Sequence, residues 1–130
     1  MDTITINENK LKYENIDKIN SKVRAILVQD NKILVSNYGG IILLPGGSID
    51  AHETPDKAII RELEEETGIM YSIEALQKLF LLKYYQKNYQ TRDNQIINRL
   101  ILTYFYFGNF LGINEKKCKR TEKEKKIIFI

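Results

Sequence analysis

A chain of 130 residues, 43% apolar and 28% charged, has the composition of one ordinary globular domain and is long enough to bury a core without crosslinks. Its only cysteine, Cys118, rules out a disulfide framework, and no apolar run nears the ~20 residues that span a bilayer. The net charge of +3 is concentrated in Lys116 to Lys126, where Lys116, Lys117, Lys119, Arg120, Lys123, Lys125 and Lys126 stand against only Glu122 and Glu124. No aromatic residues interleave that run, so it reads as a solvated segment, and nucleic acid is not the expected partner. The start, Met1-Asp2-Thr3-Ile4, lacks the basic and apolar regions of a signal peptide. A cytoplasmic protein with no membrane partner is expected, and Cys118 reads as incidental.

In chain order, Thr3 to Ile6 can form a strand. Lys22 to Gln29 and Lys32 to Ser36 are β-rich, and Asp30-Asn31 between them suits a hairpin turn. Ile41 to Leu44 is a short strand that stops at Pro45-Gly46-Gly47. Thr54 then reads as an N-cap, Pro55 as the first helical residue and Gly68 as the left-handed stop. Leu76 to Tyr85 and Asn98 to Phe107 are longer strands, and Ile127 to Ile130 is a last one. No linker or repeat divides the chain, so residues 1–130 read as one domain. Strands on both sides of one helix imply a mixed sheet with helical cover.

On a wheel of 100° per residue, Glu62, Glu65 and Glu66 fall within about 100° of one another. Ile59, Ile60 and Leu63 form the neighbouring apolar face, Ala58 lies inside the acidic arc, and Lys57 and Glu64 point to solvent. Three carboxylates on adjacent turns repel, by a few tenths of a kcal/mol per pair. A hard divalent cation reverses that sign, and magnesium favours such oxygens while keeping waters and substrate phosphates in its shell.

Gly47, Glu53, Arg61, Glu62, Leu63, Glu65, Glu66, Gly68 and Ile69 match, without gap or substitution, the box of the Nudix (MutT-like) hydrolases: a Gly, five residues, a Glu, seven residues, then Arg-Glu-apolar-x-Glu-Glu-x-Gly-apolar. Leu44-Pro45-Gly46-Gly47 resembles the usual family entry to that box. The resemblance implies an α/β fold (α+β), an α/β/α sandwich around a mixed sheet, and an enzyme that cuts a pyrophosphate bond in a nucleoside diphosphate-linked small molecule. Mg2+, with Mn2+ as the substitute, is the implied cofactor. Its ligands would be Glu62, Glu65, Glu66 and the backbone carbonyl of Gly46. Glu53 would sit beside it, and Arg61 would hold the loop by pairing with a glutamate such as Glu53. The general base is left open among Glu62, Glu65 and Glu53 of the box and Asp93, Glu115, Glu122 and Glu124 beyond it, Glu122 ranking first of the later group. His52, in the variable spacer of the box, is expected to be an exposed loop residue.

Two other readings stand beside hydrolysis of a small molecule: a nucleotide-sensing module that does not cut, and an RNA-directed, decapping-like pyrophosphohydrolase. The sensing reading is weakened by the intact set of box glutamates. Substrate signatures outside the box are sparse. With prolines only at 45 and 55, the chain lacks the downstream proline that often accompanies ADP-ribose pyrophosphatases. Tyr85, 16 residues beyond Ile69, resembles a position in diadenosine polyphosphate hydrolases. Tyr85 or Tyr89 is expected to stack on the substrate base, with only one of Tyr84 and Tyr85 able to face a cleft. Family members commonly carry a C-terminal helix after the last strand, and nothing here supplies one. The apolar strand Ile127 to Ile130 is therefore expected to be covered by a second copy of the chain, as a homodimer.

Overall fold

Alternation along one strand organises the molecule. Val23, Ala25 and Leu27 are completely buried, while Lys22, Arg24 and Ile26 between them point to the opposite face. The structure, a computed structural model, describes residues 1–119 and 126–130. Its elements are β1 (Asp2–Ile6), β2 (Lys18–Gln29), β3 (Lys32–Tyr38), β4 (Ile41–Leu43), β5 (Gly46–Ser48), α1 (Pro55–Thr67), β6 (Gln77–Gln90), β7 (Ile96–Asn109) and β8 (Lys126–Phe129). No helix among the described residues is long and apolar enough to cross a membrane.

The sheet order is β1-β6-β7-β2-β3-β4, with β5 on β2 and β8 on β3. β1 runs parallel to β6, and β2 parallel to β7 over Lys18 to Val28, whereas β6 and β7 are antiparallel. The sheet is thus mixed. Helix α1 lies on the face of Val23, Ala25 and Leu27 and buries Ala58, Ile59 and Leu63 against them, with Leu34, Tyr71, Leu76 and Tyr106 completing the core. Each such aliphatic side chain contributes roughly 1.5–3 kcal/mol on burial. Tyr106 also donates to Asp56 in the first turn of α1 at 2.7 Å, and Lys78 pairs with the other oxygen of Asp56 at 3.1 Å.

The turn and helix signals stand where the residues suggest. Asp30 and Asn31 have φ of 51° and 61°, the left-handed pair a two-residue hairpin requires. The Thr54 hydroxyl accepts from the Lys57 N–H at 3.2 Å, Pro55 opens the helix, and Gly68 closes it at φ 76°. His52 is exposed in the loop before the helix, also at positive φ.

One expectation needs correction. The long strands outrun their apolar segments: β6 continues through Gln86 to Gln90 because β7 starts at Ile96 and pairs with it across a bulge between Gln86 and Tyr89. Among the described residues α1 is the only α-helix, in keeping with the expected α+β fold that lacks a second, C-terminal helix. The last strand also has a pairing partner within the chain. β8 is hydrogen-bonded to β3, with Ile33 and Ile130 exchanging N–H···O bonds at 2.8 and 3.0 Å, and Phe129 packs edge-on against Phe110 at 4.9 Å. Cys118 gives its thiol to the carbonyls of Glu66 at 3.4 Å and Asn114 at 3.3 Å.

Gly68 cannot be replaced cheaply, because a Cβ there would run into the carbonyl of Asn114 as well as occupy a left-handed conformation. Gly68→Ala should cost about 1–3 kcal/mol, and Thr54→Ala, which removes one cap bond, about 1 kcal/mol. Urea unfolding of both variants measures the order.

Candidate functional site

Three short stretches meet beside α1. The segment Leu44 to Gly47 is fastened along β2: Arg24 Nη1 donates to the Leu44 carbonyl at 2.9 Å, Ala25 N to the Pro45 carbonyl at 2.9 Å, and β5 pairs with Lys22 to Arg24. Gly46 has φ 146° and its backbone lies against the Val23 carbonyl, so a side chain has no room. A Cβ on Gly47 would lie 2.5 Å from Glu62 Oε1, so the glutamate occupies the space that the glycine leaves. Gly46 N donates to Glu66 Oε1 at 3.3 Å, and Glu66 is only 4% exposed.

Arg61 holds the acidic groups together. It grips Glu53 with Nε at 2.8 Å and Nη2 at 2.9 Å, gives Nη1 to Glu62 at 3.0 Å and to Glu65 at 3.4 Å, and donates Nη2 to the Ser48 carbonyl at 3.0 Å. Asp50 adds a carboxylate 3.4 Å from Nε, and Asp50 N donates to Glu53 at 2.9 Å. Hydrogen bonding from Arg61 holds the Glu53 carboxyl below the ordinary glutamate value, and the same bond, with Glu62 behind it, keeps the guanidinium firmly charged.

The C-terminal turn of α1 is held from outside. Its last four carbonyls have no partner within the helix. Glu64 receives the Gly68 N–H at 2.8 Å, Glu65 the Lys119 N–H at 2.6 Å, Glu66 the Cys118 thiol at 3.4 Å and Thr67 the Asn114 N–H at 2.6 Å. Cys118 is therefore part of the support of the turn that bears Glu65 and Glu66.

Glu62, Glu65 and Glu66 line an open cleft of about 430 Å3 together with Gly46, Gly47, Ser48, Lys22, Arg24, Ser36, Leu43 and Lys119. Lys22 and Arg24 were not among the residues singled out from the sequence, although basic residues at alternate positions of a strand are a readable signal. Burial, then repulsion from Arg24 and Arg99, pushes the Lys22 ammonium below the ordinary lysine value. Among the described residues no three acidic side chains form a ready metal-binding group, and Glu62 and Glu65 are bonded to Arg61.

The remaining candidates are scattered. Tyr85 is half-buried opposite Leu100, on the other sheet face from Arg99, and lines neither this cleft nor the basin at the β6–β7 tip; Tyr89 lines that basin. Asp93 also lies there, bonded to the Thr91 hydroxyl, and Glu115 is exposed in a short 3-10 turn. Glu122 and Glu124 lie outside the described residues.

Comparison with known proteins decides the family. A model of the NUDIX domain matches residues 18–127. The chain belongs to that family. An ADP-ribose pyrophosphatase of Methanocaldococcus jannaschii is 37% identical to this Nudix chain over 59 residues, covering 42% of the chain and 35% of that protein. An 8-oxo-dGTP diphosphatase of Proteus vulgaris is 50% identical over 36 residues, 28% of the chain and 32% of that protein. The similarity thus spans about a third of the length of these curated relatives. In fold, the chain resembles a MutT NUDIX hydrolase from Burkholderia pseudomallei, with a TM-score of 0.60 at 19% identity over 85% of this chain and 81% of that one.

The low titration of Glu53 has a defined sign. The folded chain keeps this carboxylate charged at a lower pH than the unfolded chain does. Its stabilisation is therefore complete above the unfolded value of 4.5 and is lost as pH falls through the folded value. In urea unfolding between about pH 6 and pH 3, Glu53→Gln should start less stable and lose less on acidification than the native chain.

Proposed function

We propose that this Nudix domain hydrolyses a pyrophosphate bond in a nucleoside diphosphate-linked small molecule, with a divalent cation, Mg2+ or Mn2+, at the carboxylates. One observation carries the reading: a single cleft sets Glu62, Glu65 and Glu66 against Lys22 and Arg24. Carboxylates alone suit a cation, and cations alone suit a phosphate. Facing one another, they suit a phosphate–metal complex. The hydrolase names of the curated relatives agree with this.

The donor set fits such an ion. Carboxylates and a backbone carbonyl are hard oxygen ligands, and magnesium needs few of them because waters and phosphate oxygens fill its shell. Glu62, Glu65, Glu66 and the Gly46 carbonyl are the proposed ligands; Glu62 and Glu65 would leave Arg61 Nη1 to serve. When bound, the cation neutralises the phosphate oxygens and acidifies a coordinated water. Lys22 and Arg24 would bind the remaining phosphate charge and orient the scissile bond. Arg61, anchored on Glu53 and Ser48, would keep the loop and helix in register. Glu53 is a poor base, since Arg61 engages both of its oxygens and lowers its pKa. Glu65, with 37% of its side chain exposed against 13% for Glu62, is better placed to take a proton from water.

Glu65→Gln and Glu66→Gln should each lower turnover by about 10²-fold or more while leaving the far-ultraviolet circular dichroism unchanged. EDTA should abolish activity and added Mg2+ restore it. Phosphate release over ADP-ribose, nucleotide sugars, dinucleoside polyphosphates and deoxynucleoside triphosphates is the assay. Near-native turnover in either variant would remove the ligand assignment.

A further inference from the structure

The proposed chemistry draws its phosphate-binding charge from Lys22 and Arg24, both on β2. A third cation, Lys119, lines the same cleft from the segment that follows β7. The two strand cations are partly committed. Arg24 gives Nη1 to the Leu44 carbonyl at 2.9 Å, and burial holds the Lys22 ammonium below the ordinary lysine value. Lys119 is exposed, and none of the ion pairs among the described residues engages it. Glu62 and Glu65, which share its cleft, are bonded to Arg61.

The backbone of Lys119 distinguishes it from an ordinary surface lysine. Its N–H donates to the Glu65 carbonyl at 2.6 Å, in the last turn of the helix that carries the acidic arc. Beside it, Cys118 gives its thiol to the Glu66 carbonyl at 3.4 Å, and Asn114 N donates to the Thr67 carbonyl at 2.6 Å. A 3-10 turn over Glu115–Lys117 spans the stretch between those bonds. A cation on an unsupported loop loses backbone freedom when it meets a ligand. Here that freedom has been given up beforehand, which lowers the cost of binding. The bond also acts in the other direction, because coupling between two contacts is reciprocal. Whatever draws on the ammonium is felt at the main chain of Glu65.

We propose that Lys119 binds a phosphate of the substrate and, through its own amide, ties that contact to the backbone of Glu65. Lys22 and Arg24 form the strand side of a cationic grip, and Lys119 forms the side attached to the carboxylate helix. Phosphate binding then tightens the brace on the turn of Glu65 and Glu66. The inference rests on the hydrolase reading for its substrate, but its binding test needs no turnover.

Methylenediphosphonate, a pyrophosphate analogue whose P–C–P bridge water cannot cut, is the probe. Titrated with Mg2+ into 15N-labelled protein, it should shift the amides of Lys22, Arg24 and Lys119, and also those of Glu65 to Gly68. Lys119→Ala removes the charge but keeps the N–H, so a role confined to the backbone brace predicts no change in it. The expected result is a Kd raised roughly ten-fold, with the shifts at Glu65 to Gly68 lost and those at Lys22 and Arg24 kept. Lys119→Arg, which restores the charge, should recover most of the affinity. On the best substrate, Lys119→Ala should raise KM by a similar factor and lower kcat a few-fold. Unchanged Kd and KM in folded Lys119→Ala would overturn the phosphate role and spare the hydrolase reading. Weakened binding with the shifts at Glu65 to Gly68 intact would overturn the coupling. A native protein that binds the probe through Lys119 yet cuts no pyrophosphate would uphold the inference and sink the hydrolase reading.

Discussion

Like charges must be held together before this site can exist, and Arg61 holds them. Glu53, Glu62, Glu65 and Asp50 all approach one guanidinium. A planar fork with five fixed donors can satisfy several carboxylates at once, whereas a lysine offers a point charge. The same group reaches the Ser48 carbonyl, so it also ties the glycine segment to the helix. The acidic arc and its loop are thus one electrostatic unit.

That unit depends in turn on β2. One side of this strand supplies Val23, Ala25 and Leu27 to the core, where α1 rests, and the other supplies Lys22 and Arg24 to the cleft. The period of two in side-chain direction lets twelve residues serve packing and charge at once. A one-residue slip in the pairing of β2 with β7 would reverse both, placing cations under the helix. Burial of the apolar row therefore fixes the register of the basic row.

How much of this was legible depends on how local each feature is. The helix, its caps and the gathering of Glu62, Glu65 and Glu66 follow from residues within four turns of one another, and the sequence displays them directly. The pairing of Arg61 with Glu53 spans eight residues and was legible through the box pattern. Lys22 and Arg24 share a cleft with the glutamates through the packing of α1 on β2 and the pairing of β2 with β5, across some forty residues of separation that no local pattern encodes. Tyr85 and Tyr89 show the same limit: strict alternation places both on one face, but the bulge between Gln86 and Tyr89 shifts the phase and separates them. The pairing of β8 with β3 was equally hidden, because an apolar tail looks the same whether its partner lies in its own chain or another.

Asn114, Cys118 and Lys119 have a consequence for how the chain can vary. Connections after a strand usually tolerate insertion, because their backbone meets mainly water. Here the backbone beyond β7 completes the hydrogen bonding of α1, supplying donors to Glu65, Glu66 and Thr67. The stretch from Phe110 to Lys119 is in effect a splint on the helix end. Its length is set by the distance it must bridge, so a residue gained or lost there would be felt as a rotation of two carboxylates rather than as a longer or shorter loop.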